Sequence, residues 1–292
     1  MMKKLFESTD FVQTVELWPP GFAIGGGSQV LDRQFAWLSE RLEILGEYFD
    51  AFHIADLRVP GRRYLDSVTT SIRLRERFSW LEVAPTISAR DRNRKSLQEA
   101  VATALYFGVD NLILVRGDPW LQTEEDHSKN VYEVNRVSEL VQLAREVQQW
   151  TSAPELCLLT PLDVMKTSNQ RYLETIRNRE RATSDVFLTQ MFVGEPEEYL
   201  ERVDMIRGEG VKSPILHNVF PLYSYEDAQE ISRRFGLPIA KGILDELKEG
   251  GAAAGIRVAT RFRDAMEANK GKVNGIFVSS RGEPELAIRL VR

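Results

Sequence analysis

Eight short runs of strand-forming residues, each separated from the next by a stretch with helical periodicity, constrain this chain of 292 residues more than any other feature. The clearest run is Asn111-Leu112-Ile113-Leu114-Val115, apolar on both faces and closed by Arg116-Gly117-Asp118-Pro119-Trp120. Such a run suits a parallel strand covered by helices rather than a sheet with one wet face. Thr14 to Trp18 is a first strand, stopped by Pro19-Pro20, and Ala51 to Ala55 a second, followed by a Pro60-Gly61 turn. Leu81 to Ile87, Leu156 to Thr160-Pro161, Val186 to Phe192, Ile215 to Phe220 and Gly275 to Ser279 complete the set.

The intervening stretches carry helix signals. Leu31, Phe35, Leu38, Leu42 and Leu45 share one face of Val30 to Tyr48. Ser96-Leu97-Gln98-Glu99 has the capping-box pattern, and Gly108 ends that helix. Val131, Val134, Val137, Val141 and Ala144 mark a long helix. Ser224-Tyr225-Glu226-Asp227 caps one that stops at Gly236, and an extra helix fits near Ile239 to Leu247. Strict alternation of this kind, with right-handed crossovers, predicts one (β/α)8 barrel over residues 1–292. A doubly wound open sheet is the alternative that the same alternation would feed.

Composition narrows the function. A net charge of -5 lacks the basic footprint of a nucleic-acid or anionic-membrane binder. His53, His127, His217 and the lone Cys157 are too scattered for a metal site or a disulfide framework. Cys157 reads as a small buried hydrophobe. No apolar run approaches the ~20 residues needed to cross a bilayer, and the amino end is short and polar, so the chain reads as soluble and cytoplasmic. Gly25-Gly26-Gly27 lacks the spacing of a phosphate cradle and reads as a flexible loop.

In a parallel barrel, chemistry gathers at the carboxyl edge. The strand ends bring Glu16, Asp56, Thr86, Arg116, Asp118, Thr160, Gln190 and Tyr225 towards one mouth. Glu16 lies between Val15 and Leu17 and beside Trp18; apolar neighbours desolvate it, and a desolvated carboxyl can serve as a general acid. Asp118, next to Arg116, can stabilise positive charge developing on a substrate. Gln190 offers a donor and an acceptor for the edge of a heterocycle, and Tyr225 a face for stacking. Arg179 and Arg181 can meet phosphates or decorate a solvated face.

Five of these segments resemble, in order, the methylenetetrahydrofolate reductases. Val15-Glu16-Leu17-Trp18-Pro19-Pro20 is similar to the family's first strand, Leu81-Glu82-Val83-Ala84-Pro85 to its third, and Val115-Arg116-Gly117-Asp118-Pro119 to its fourth. Thr189-Gln190-Met191-Phe192 and Phe220 to Tyr225 resemble two later segments. The resemblance implies a barrel holding FAD, reduced by NAD(P)H, that converts methylenetetrahydrofolate to methyltetrahydrofolate for methionine biosynthesis, in a homo-oligomer. It places Glu16 on the general acid and Asp118 on the aspartate that stabilises the cationic intermediate. Gln190, Phe192 and Tyr225 fall on or beside substrate-binding positions, and Asp56, Thr86, Arg116, Thr160 and Arg179 on cofactor positions.

The flavin positions depart from the pattern. Thr86 stands where the family usually has a histidine, and Asp56 where it has a threonine. Thr160-Pro161-Leu162-Asp163 replaces a tyrosine-proline-glutamate run, while Arg179 keeps the charge of a lysine. The folate half keeps the family's residues and the flavin half does not. Three readings follow: a divergent flavin-dependent reductase, a flavin-free folate-dependent one-carbon enzyme, and a non-catalytic folate-binding subunit.

Overall fold

The computed structural model describes residues 2–22, 27–57, 63–118, 131–153, 155–182 and 184–292. Gly25 and Gly26, the Pro60-Gly61 turn, Pro119 with Trp120, and His127 lie outside the described residues. The barrel strands are β1 (Val12–Leu17), β2 (Ala51–Ile54), β3 (Val83–Ser88), β4 (Asn111–Val115), β5 (Cys157–Leu162), β6 (Val186–Thr189), β7 (Ile215–Val219) and β8 (Gly275–Ser279). Each pairs in parallel with its neighbours in chain order, and β8 pairs back onto β1, from Val12↔Gly275 to Glu16↔Ser279. Closure makes this a single (β/α)8 barrel and overturns the open sheet.

The helices are α1 (Met2–Ser8), α2 (Gly27–Leu45), α3 (Ser67–Arg77), α4 (Arg94–Tyr106), α5 (Val137–Thr151), α6 (Gln170–Arg181), α7 (Pro196–Gly208), α8 (Tyr225–Phe235), α9 (Lys241–Ala268) and α10 (Pro284–Val291). A short antiparallel ribbon, Gly21–Phe22 with Arg63–Tyr64, joins the loops that follow β1 and β2.

Strand alternation sorts the side chains. Val12, Ala51, Ala84, Ile113, Cys157, Leu159, Val186, Leu188, Leu216 and Phe277 fill the lumen. Val15, Phe52, Val83, Phe187, Ile215 and Ile276, one position out of phase, pack beneath the helices. α1, which nothing in the periodicity announced, closes the amino end: Met2 is fully buried in the lumen cluster, and its backbone N–H donates to Asn111 Oδ1 at 2.9 Å. Inward side chains therefore meet solvent at the carboxyl edge.

Several boundaries differ from expectation for local reasons. α4 begins before the Ser96 capping pattern because Asn93 Oδ1 takes the Ser96 N–H at 2.8 Å. α5 begins at Val137, not Val131: Glu139 takes the Asn135 and Arg136 N–H groups, and Val131 is held in a loop as acceptor for the Asp91 N–H. β5 runs on through Pro161 to Leu162, since a proline is tolerated near a strand end. β6 stops at Thr189, and Met191 and Phe192 leave the ladder for the helix layer. Gly251, at φ 52° and ψ −137°, breaks α9 in two, and the segment before it is the expected extra helix.

Candidate active site at the barrel mouth

Glu16 is the last inward residue of β1. Ser279, in register on β8, donates its hydroxyl to Glu16 Oε1 at 3.2 Å, and the Trp18 indole supplies a second hydrogen bond. Burial raises the Glu16 carboxyl above its ordinary value, and these two donors pull the other way without cancelling it. Ser280 Oγ donates to the Glu16 carbonyl at 2.6 Å and accepts the Gly282 N–H at 3.3 Å. Gly282 adopts φ +82° and lies so close to Trp18 that a Cβ there would come within 2.9 Å of the indole. The end of β8 thus clamps the acid and its aromatic neighbour together.

Beside Glu16 the largely apolar lumen carries a buried imidazole. His53, on β2 in register with Glu16, is 1% exposed and lies against Phe277 with ring centroids 4.7 Å apart. Burial drives its pKa down to about 3, so the ring is neutral at physiological pH. On the β7–β8 rim, Arg281 forks onto Asp227 at 2.6 and 2.8 Å and covers the Tyr223 ring at 4.2 Å. The hydrogen bonds of Arg281 hold the Asp227 carboxyl below its ordinary value against the opposing effect of burial. Arg281 sits at φ 52°, an uncommon conformation for a residue with a side chain.

The opposite rim is cross-linked. Ser88 donates to Asp56 Oδ2 at 2.7 Å, and Arg92 stands 3.9 Å from the same oxygen. Arg90 donates to the Asp118 carbonyl, and Tyr132 donates to the Gly117 carbonyl at 3.1 Å. Gly117, at φ +84°, lets this turn approach Ser88 and Arg90, either of which a Cβ would meet at about 3 Å. The Asp118 side chain is exposed beyond the turn, and Arg116 lies over the Tyr132 ring at 4.4 Å.

Glu16, Thr86 and Gln190 are inward by alternation at the carboxyl edge, and Asp56 and Asp118 stand on its rim. Other expected site residues point elsewhere. Thr160 is fully buried on the outward face of β5, 2.7 Å from Ser184 Oγ. Phe192 is 5% exposed and packs edge-on to Tyr199 and Phe262. Tyr225 opens α8, with its hydroxyl taken by Gln229 at 3.0 Å and Lys248 near its ring. Arg179 is buried, donates to the Pro161 carbonyl at 2.5 Å and lies beside Tyr172. Sequence reasoning missed Ser279, Ser88 and His53. Each shares the inward phase of its strand, His53 with Ala51, Ser88 with Ala84 and Ser279 with Phe277, and strand alternation carries that signal.

Two surface hollows lie away from the mouth, one at the amino end around Phe6, Asp10 and Asn274 and one between Phe35 and Arg73. Among the described residues no group of three or more His, Cys, Asp or Glu side chains could hold a metal ion. No described helix is long and apolar enough to cross a membrane.

A closed parallel barrel with a buried carboxyl held by neutral donors at its carboxyl edge defines the class: a (β/α)8 barrel protein. Within that class, the methylenetetrahydrofolate reductase family model matches residues 60–264, more than half of the chain, and the chain belongs to that family. It is 23% identical over 161 residues to "Methylenetetrahydrofolate reductase 2" of Schizosaccharomyces pombe (strain 972 / ATCC 24843). That match covers 52% of this chain and 25% of the yeast protein, so the chain spans about a quarter of that relative's length. Among solved structures it is similar to an uncharacterized protein from Clostridium thermocellum that binds two copies of 5-methyl-5,6,7,8-tetrahydrofolic acid. The TM-score is 0.68 and the identity 16%, over 100% of this chain and 98% of that one. A 2,3-dimethylmalate lyase follows at TM-score 0.57 and 12% identity, covering 98% and 82%. At these identities the structural likenesses show the fold.

Proposed function

We propose that the chain binds a reduced folate at the barrel mouth and reduces its methylene group to methyl, with Glu16 as the general acid and Asp118 as the electrostatic partner. The observation that carries this reading is Glu16 itself, a carboxyl raised by burial in a chain of this family, facing the mouth with neutral donors around it. The methyltetrahydrofolate bound by the Clostridium thermocellum protein of the same fold supports a folate as the ligand.

Opening the methylene bridge to an iminium needs a proton on the departing nitrogen, and a carboxyl that stays protonated at higher pH can give it. The exposed Asp118 carboxylate lowers the energy of the cation so formed. Gln190, exposed at the end of β6, orients the pterin edge through its amide. A reduced nicotinamide supplies the hydride, which with the proton from Glu16 balances the conversion of methylene to methyl. Arg116, exposed over Tyr132, would hold the dinucleotide's phosphates.

The residues present do not fit FAD. Of the five positions that the resemblance assigns to it, Thr160 faces the helices, Asp56 is bound to Ser88, and Arg179 is committed to Pro161 and Tyr172. This favours a flavin-free route over the flavin-dependent one. The decisive experiment pairs calorimetric titration with 5-methyltetrahydrofolate and an anaerobic assay of NADH and NADPH oxidation by methylenetetrahydrofolate. Saturable binding with nicotinamide oxidation, in a protein isolated without flavin absorbance, is the expected result. Binding without turnover would leave a folate-binding subunit, and no binding would end the folate reading.

A further inference from the structure

Neither ring nitrogen of His53 has a hydrogen-bond partner among the described residues. A neutral imidazole brings one N–H donor and one acceptor into the lumen. Leaving either unpaired costs about 1–3 kcal/mol, which is why buried polar atoms are met by protein groups or by internal water. Asn218 Oδ1, inward on β7 beside Phe277, is a third buried atom without a partner. Glu16 has the complementary need. Its proton requires an acceptor; the Trp18 indole can only donate, and of its two named partners Ser279 Oγ alone can accept.

Position joins these needs. His53 is in register with Glu16 on one side and with Ala84 on the other, and all three point inward by alternation. The neighbour on the β3 side, Ala84, carries only a methyl group, while Phe277 covers one face of the ring. A water needs two to four polar partners, and the Glu16 carboxyl, His53 and Asn218 supply them.

We infer that His53 is a positioning residue for Glu16: its neutral imidazole and the Glu16 carboxyl share an internal water beneath the mouth. The inference rests on Glu16 being the acid of the proposed reaction. Glu16 is the titratable group that β1 turns towards the ring. β3 contributes Ala84, Thr86 and Ser88, and β8 contributes Phe277 and Ser279; the charged Asp56 and Arg92 stand on the rim beyond Ser88.

The test uses the whole chain labelled with nitrogen-15 at its three histidines, with signals assigned through His53→Gln and His217→Phe. His53 stays neutral across about pH 5 to 9, the range in which an ordinary histidine titrates, and its nitrogen shifts step as Glu16 ionises. The step disappears in Glu16→Gln, and His217, on the helix side of the barrel, does not show it. A flat His53 signal, or a step that survives Glu16→Gln, overturns the inference. His53→Leu moves the Glu16 titration by about half a unit or more, and His53→Gln, which keeps a donor and an acceptor, moves it less; each unit is about 1.4 kcal/mol. Equal effects of the two variants would leave His53 a packing residue. No folate enters this titration, so a coupled step in a protein that binds no folate sinks the functional reading alone. Folate binding with a flat signal sinks this inference alone.

Discussion

The two sides of the barrel mouth treat a carboxyl group differently. On the β1–β8 side, Glu16 is surrounded by neutral donors, Ser279 and Trp18, with apolar packing behind them. On the β2–β4 side, Asp56 is bound by Ser88 and faces the guanidinium of Arg92. Burial in the first environment favours a proton on the carboxyl, and the second ties its carboxyl to a hydroxyl and a guanidinium. Two carboxyl groups in contrasting surroundings are what separate acid from structural roles within one site. Glu16 takes its hydrogen bonds from neutral donors, whereas Asp56 is tied into the loops after β2 and β3.

The largest effect expected from this contrast is at Glu16. Glu16→Gln keeps the shape and removes the proton donor, so turnover falls by roughly 10²–10⁴-fold while folate affinity holds. Steady-state kinetics beside calorimetry separate the two, and unchanged turnover would remove Glu16 from the chemistry. Stability carries the same signature. The folded pKa of Glu16 is raised, so the folded chain holds its proton after the unfolded chain has lost it. That contribution is intact below the unfolded value and is lost as pH rises through the folded one. Glu16→Gln therefore gains stability relative to the wild type at alkaline pH and not at acid pH, measurable by denaturant unfolding at both.

Asp56→Ala tests the other side. It leaves the Ser88 hydroxyl and the Arg92 guanidinium short of a partner, and the expected loss is about 1–3 kcal/mol of stability with turnover little changed. A loss of turnover matching that of Glu16→Gln would mean that Asp56 also does chemistry, and the contrast between the two carboxyl groups would fail.

Much of this architecture was legible because strands and helices differ in period. Asn111 to Val115 could not be mistaken for a one-sided strand, but the same alternation would feed an open sheet, and only the pairing of β8 with β1 closes the ring. The burial of the Glu16 carboxyl was legible only in part: Trp18 is its neighbour in chain and in space, whereas Ser279 comes from β8. The placements of Thr160 and Phe192 were not legible. Thr160 stands near a strand end but in the outward phase, against Ser184; Phe192 shares the parity of Gln190, but β6 ends at Thr189 and the chain turns Phe192 onto Tyr199 and Phe262. α1 was hidden because a seven-residue polar segment becomes a helix only by docking Met2 into the lumen.

The smallest effect, Thr160→Val, separates phase from proximity most directly. Valine reproduces the shape of threonine, so the outward packing survives and the loss is the hydrogen bond to Ser184, about 1 kcal/mol of stability. If Thr160 met a cofactor instead, removing its hydroxyl would weaken nicotinamide or flavin binding and leave stability nearly untouched. A denaturation curve and a cofactor titration on the one variant give opposite answers for the two placements. The structure, with Thr160 fully buried against the helix layer, requires the first.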